Sequence, residues 1–190
     1  MRVSRRVLIS GGIALAIVAG LVVSSAFRGR SPAELEIENA FTRAIETEQR
    51  VDVPLVAKAG DEPTDEQLDR QAAQGAAAVR AIFADAAADQ VLKGLDNLIT
   101  SQRQSRATFR VLGAGVDYVN VHDITITGKT AAATGRAKVW MRTQVKQRPG
   151  DPWGVVDPHN ELDYTMQFTR DAAGPWIVRV YGWSFVGGGP

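Results

Sequence analysis

Three groupings of side chains in this sequence have the types and spacing to do chemistry. His122–Asp123 sets an imidazole beside a carboxylate, the parts of a general base and its orienting partner. His159, Glu161 and Asp163 alternate, so on a strand they share one face and offer nitrogen and oxygen ligands to a metal. Asp157 and Tyr164 would supply the acid and the phenol of an isomerase-type site.

Each grouping also has a plain structural reading. Neighbours in a strand point to opposite faces, so His122 and Asp123 cannot meet as a dyad without a bulge. The face carrying Glu161 and Asp163 is where a neighbouring strand's Arg142 and Lys146 find cross-strand partners. Tyr164 falls on the apolar positions of its strand, where a tyrosine packs its ring. With two histidines and no cysteine the ligand inventory is thin, and we expect no metal, no cofactor and no catalytic residue. No glycine-rich phosphate loop opens a helix, and no serine stands in a nucleophile elbow.

Binding rather than catalysis is the better match to two tryptophans, Trp153 and Trp140, which are the candidate partner-binding residues. Trp153 lies near the middle of a connection running from Pro149 to Pro158, whose prolines restrict the backbone. It either anchors a partner or pins the loop. Trp140 lies on a polar face between basic residues, where it stacks a cation or meets a partner. Trp176 and Trp183 sit in a segment apolar on both faces and read as core.

The elements that must hold these residues are legible from caps and periodicity. Ser31-Pro32-Ala33-Glu34 is a capping box with proline at the first helical position, followed by an apolar stripe of Ile37, Phe41, Ala44 and Ile45. Thr64-Asp65-Glu66-Gln67 is a second capping box. It opens one long helix through Leu68, Ala72, Ala76, Val79, Phe83 and Ala87, ending near Lys93-Gly94, with a short turn over Leu95–Ile99. After Arg106 the period becomes two. Strands are predicted over 108–112 and 116–127, parted by Gly113 and Gly115, then over 130–146, 161–170 and 176–185. Helices followed by an antiparallel meander give an α+β domain with helices packed on one face of a curved sheet.

One pairing follows from parity. The apolar positions of 137–145 are odd and those of 162–168 even, so directly opposed residues must sum to an odd number. A sum near 307 would set Val139 against Phe168 and Lys146 against Glu161, leaving the Pro149–Pro158 stretch as the loop.

The chain's organisation is asymmetric. Residues 7–27 carry no charge, and at 1.5 Å per residue they would cover about 31 Å, enough to cross a hydrocarbon core. Arg2, Arg5 and Arg6 precede this run and Arg28 and Arg30 follow it. The favoured reading is a basic stub and uncleaved transmembrane anchor over 1–30, a domain over 31–186, and a disordered tail over 187–190. Cleavage after Ala26 and twin-arginine export through Arg5-Arg6 are the alternatives to an uncleaved anchor delivered by the general route. All of them place the domain outside the cytoplasm. Five of the 22 basic residues precede position 31, so the remainder carries 17 bases against 21 acids, a net −4 that excludes a nucleic-acid footprint. The absence of cysteine excludes disulfides and a lipidated-cysteine anchor, leaving core packing as the source of stability.

The run Val121-His122-Asp123-Ile124-Thr125-Ile126-Thr127-Gly128-Lys129-Thr130-Ala131 and the closing Gly174-Pro175-Trp176-Ile177-Val178, behind helices and a membrane segment, resemble nuclear-transport-factor-like (cystatin-like) domains. Among these the chain is most similar to bacterial single-pass members such as Mce-associated membrane proteins, and more distantly to assembly factors of type IV secretion and conjugation. The resemblance implies a cone of curved sheet wrapped by helices over residues 31–186. Enzymatic members such as ketosteroid isomerase hold an acid base and a tyrosine inside the cone, but no matching motif carries those residues onto this chain. The expected function is a non-catalytic interaction or scaffold domain of the bacterial cell envelope, an accessory of a transport or secretion system. The alternative is a small-ligand binder or isomerase-type enzyme using the cone cavity. The interior separates the two: convergent acids and tyrosine in a cavity favour the second, a filled core the first.

Overall fold

The computed structural model describes residues 29–56 and 61–186. The hydrophobic run at 7–27, its cleavage site and the tail at 187–190 lie outside the described residues. Among the described residues no helix is long and apolar enough to cross a membrane.

Both capping boxes form. Ser31 caps α1 (Pro32–Val51), its hydroxyl accepting from the Glu34 amide while the Glu34 carboxylate accepts from the Ser31 amide at 2.7 Å. Thr64 and Gln67 make the same reciprocal pair at the head of α2 (Asp65–Ile82). These contacts are local in sequence, which is why the sequence alone announces them.

The single long helix expected after Thr64 is instead two. α2 stops at Phe83, which turns to extended backbone (φ −113°, ψ 151°), and α3 (Asp85–Gln104) begins two residues later. The cause is tertiary. Phe83 forms a parallel bridge to Val178, Ala84 donates its amide to the Val178 carbonyl at 2.9 Å, and the Phe83 ring packs edge-on against Tyr181. Asp85 takes a φ of 52° and pairs with Arg179 at 2.8 Å. α3 then runs through Gly94 to Gln104, so the predicted stop at Lys93-Gly94 and the separate turn over Leu95–Ile99 do not occur.

The sheet contains β1 (Phe109–Thr127), β2 (Thr130–Val145), β3 (Gly154–Val156), β4 (His159–Thr169) and β5 (Ile177–Phe185). All pairings are antiparallel, in the order β1-β2-β4-β5, with β3 also on β2. The expected break at Gly113 and Gly115 is absent, and β1 is one strand of 19 residues. It carries three bulges, at Leu112, Asp117 and His122, each skipped in the register with β2. Bulges bend a strand and increase its twist, and these three curve the sheet around the helices.

Parity is odd between β2 and β4, as the alternation required, but the offset differs from that expected. Opposed residues sum to 299: Ala131 faces Phe168, Val139 faces Asn160, and Lys138 rather than Lys146 faces Glu161. β3 keeps that sum against β2, with Thr143 opposite Val156. β3 and β4 are therefore one line of chain interrupted at Asp157-Pro158, and part of the stretch expected to be loop is strand. The proline lacks the amide a strand interior needs, and the line breaks where it stands.

One face of this sheet and three helix stripes make the core. Ala131, Ala133, Ala137 and Val139 of β2 and Leu162, Tyr164, Met166 and Phe168 of β4 are buried against Ile37, Phe41, Leu68 and Val91. Phe41 meets Tyr164 edge-on at 6.4 Å and lies over Gly135, where a Cβ would fall 2.8 Å from the Asn120 carbonyl and 3.0 Å from the Phe41 ring. Trp176 is buried, as expected, with its indole N–H donating to Glu36 at 3.3 Å. Trp183 is not core. It is 44% exposed near the end of the edge strand β5, where an open cleft separates it from α3.

Candidate functional site

The sequence-predicted groupings are placed but not assembled into a site. His122 is itself the bulge residue, yet Asp123 accepts from Thr134 Oγ1 at 3.2 Å, and both members are exposed. His159, Glu161 and Asp163 do share a face, but each has a separate partner. His159 Nδ1 meets Asp117 Oδ2 at 2.8 Å, Glu161 accepts from the Tyr118 hydroxyl at 2.9 Å, and Asp163 pairs with Arg136 Nε at 2.8 Å. Among the described residues no group of three or more such side chains converges on a metal-sized point. Asp157 accepts from Arg142 at 2.9 and 2.5 Å, whereas Tyr164 is buried against Phe41 and Tyr181; the two do not meet.

Both candidate tryptophans have partners inside the chain. The Arg110 guanidinium stands 4.2 Å from the centre of the Trp153 ring, and Lys146 Nζ stands 4.5 Å from it. Trp140 leans across to β1, where a Cβ on Gly115 would come within 2.8 Å of its ring. The glycines read as strand breakers are therefore the floor under this indole.

What the structure does assemble is a cleft of about 500 Å³ between the C-terminal end of α1, one face of α3 and the sheet rim. α1 contributes Glu48 and, one turn on, its C-cap residue Asp52. α3 contributes Gln90, Val91, Gly94, Leu95, Asn97, Leu98 and Ser101, residues that recur at helical spacing and line three turns. Met141 of β2 and Trp183 of β5 form the opposite rim.

The two acids have unusual proton affinities. Burial pushes the Glu48 carboxyl up to about 6, with the Tyr181 hydrogen bond acting in the other direction. Burial, and then the Glu48 charge one turn away, push Asp52 up to about 7. Tyr181 donates its hydroxyl to Glu48 from behind, and burial raises its own phenol well above the ordinary range. Neither Tyr181 nor Tyr164 lines the cleft.

Sequence reasoning missed this site, although part of its signal was present. Glu48 and Asp52 are like charges four residues apart at the end of a helix, where both their mutual repulsion and the helix dipole oppose them. Gly94 is a second signal. A glycine inside a helix costs stability relative to alanine, yet a Cβ at Gly94 would meet nothing within 4 Å. The chain's own packing gives no reason for it, and it opens onto the cleft.

No protein-family model matches this chain, and no curated protein matches it. Among solved structures it is similar to the intermembrane-space region of the chloroplast protein ARC6, with a TM-score of 0.40 and 11% identity over 83% of this chain and 100% of that one. It is similar to CagV, a VirB8 homologue of T4SS from Helicobacter pylori, with a TM-score of 0.39 and 8% identity over 78% of this chain and 98% of that one. A third likeness is to an Ntf2-like protein involved in plasmid conjugation, with a TM-score of 0.37 and 7% identity. It covers 81% of this chain and 52% of that protein, so the match spans about half of the latter.

Proposed function

We propose that this chain is a nuclear-transport-factor-like domain of the bacterial cell envelope that binds rather than catalyses. In this reading the segment at 7–27 tethers it and the α1–α3–β5 cleft is its working surface, in the service of a transport or secretion assembly. The observation that carries the reading is the cleft itself: about 500 Å³, open to solvent, apolar on most of its wall, with Trp183 standing 44% exposed at the rim. Exposed aromatic surface beside a concave apolar recess is what a partner-anchoring site requires.

The acids and tyrosines of the interior favour a second reading, an isomerase-type enzyme, but their arrangement argues against it. Such a site needs a hydrogen-bond donor aimed at the position where charge develops on the substrate. Here the Tyr181 hydroxyl is already committed to Glu48 and lies behind it, outside the cleft lining. The acid is presented and the tyrosine hydroxyl is not.

The test is a photo-crosslinking side chain placed at Leu98 in the full chain, in its own membranes, with a matched probe at Val155 beside Trp153. The reading expects a discrete envelope-protein adduct from Leu98, lost on Trp183→Ala. Crosslinking from Val155 alone would move the working surface to the 149–158 hairpin, and no adduct at Leu98 would overturn the cleft.

A further inference from the structure

Several acids on this domain are paired with bases. Asp65 pairs with Arg106, Asp85 with Arg179, Asp117 with Lys138 and His159, Asp157 with Arg142, Asp163 with Arg136, and Glu36 with Arg170. The cleft holds two acids outside that set. Glu48 and Asp52 are recessed there, and among the described residues no lysine, arginine or histidine lines it. A carboxylate partly withdrawn from water without a counter-cation is costly, and two of them one turn apart cost more. Each resists ionisation for that reason, and a cation brought from outside would relieve both at once.

The surroundings specify what carries the cation. The lining of α3 runs from Gln90 to Ser101, about 16 Å at 1.5 Å per residue. An extended segment of about five residues has that length. Leu98, Met141 and Trp183 offer apolar contact along it, while Gln90, Asn97 and Ser101 offer polar groups for its backbone. Gly94 leaves room for close approach, since among the described residues nothing beyond its own stretch of helix lies within 4 Å of where its Cβ would be. The strand bearing Trp183 is the sheet edge, so the groove is open at that side.

We infer that the cleft takes an extended segment of a partner polypeptide that inserts a lysine or arginine side chain between Glu48 and Asp52 and lays apolar neighbours against Leu98, Met141 and Trp183. This rests on the cleft being the working surface and adds the chemistry it selects.

The experiment uses the full chain and three immobilised pentapeptide libraries with Lys, Gln or Leu fixed at the centre and the other positions drawn from Ala, Leu, Val, Phe and Tyr. The Lys library should retain the protein at least tenfold better than the Gln and Leu libraries. The double variant Glu48→Gln/Asp52→Asn should lose that preference while keeping its circular dichroism spectrum and a cooperative melting transition no lower than that of the parent. The small amine 2-phenylethylammonium should displace the retained protein only at concentrations at least tenfold above those of soluble Lys peptides. Equal retention by all three libraries, or by none, overturns the inference. Displacement by 2-phenylethylammonium at the same concentration as the peptides also overturns it and makes a free organic amine the ligand. If the Lys preference is absent while the Leu98 crosslink persists, the cleft stands and only its cation selectivity fails; loss of the crosslink removes the cleft itself.

Discussion

The hydroxyl of Tyr181, on β5, donates to the carboxylate of Glu48, on α1, and so ties the edge of the sheet to the helix that floors the cleft. This bond holds Glu48 lower than burial alone would place it. Tyr181→Phe should therefore raise the Glu48 carboxyl above its value of about 6 and cost about 1 kcal/mol of stability, the worth of one buried hydrogen bond. A carboxyl-detected NMR titration of Glu48 in both chains checks this; an unchanged midpoint contradicts it.

Stability should fall as pH rises through the range where these acids ionise. Glu48 and Asp52 have folded values of about 6 and about 7, above their ordinary values of 4.5 and 3.8. Between those limits the folded state holds protons that the unfolded chain releases. Their favourable contribution is full below about pH 4 and is lost by about pH 7. The melting temperature should thus drop from pH 5 to pH 8, and Glu48→Gln with Asp52→Asn should flatten that drop. At pH 8, Glu48→Gln should gain on the order of 1–2 kcal/mol, since each tenfold loss of acidity on folding costs the ionised form about 1.4 kcal/mol. A melting temperature rising over that window through these residues would contradict the burial argument.

Gly94→Ala separates what the fold wants from what the cleft does. It should stabilise the domain by about 0.5–1 kcal/mol, because alanine is the better helix former and the added methyl meets no other described part of the chain. It should also weaken partner capture, because that methyl projects into the groove. Thermal unfolding and the Leu98 crosslink yield measure the two effects; a stabilised chain with undiminished capture would show that Gly94 is not part of the contact.

Trp153→Ala addresses the hairpin. With Arg110 and Lys146 already stacked at 4.2 and 4.5 Å, the ring pins the 146–153 turn to β1. Its loss should cost about 1 kcal/mol, a drop of about 3 °C, with capture through the cleft intact at matched folded fraction. An unchanged melting temperature with lost capture would make Trp153 a partner anchor instead.

What the sequence revealed, and what it did not, divides by range. Ser31 with Glu34 and Thr64 with Gln67 interact within one turn, and both caps were legible. Alternation in β2 and β4 sets parity, since a one-residue slip exchanges the faces, but it says nothing of an even-numbered shift. The register accordingly kept its odd sum while moving from 307 to 299. The break at Phe83 was hidden because α2 and α3 both bury an apolar stripe, so the periodicity runs on across it; the contact with Val178, far along the chain, makes the kink. Trp183 read as core because β5 is apolar on both faces, and its exposure depends on the open cleft between β5 and α3. The cleft needed three distant segments at once, and only the clash of Glu48 with Asp52 and the unexplained Gly94 hinted at it.

The chain has no cysteine, so a single introduced one reports cleanly on its surroundings. Asn97 is exposed on the cleft wall and Val155, 58% exposed, lies outside it. The alkylation rates of Asn97→Cys and Val155→Cys, compared between intact cells of the source and the purified full chain, test the cleft as a working surface most directly. The account predicts that Asn97→Cys reacts at least tenfold more slowly in cells than when purified, while Val155→Cys reacts alike in both. Equal rates at Asn97→Cys in the two settings would mean that the cleft stands empty where the protein works, and would contradict the account.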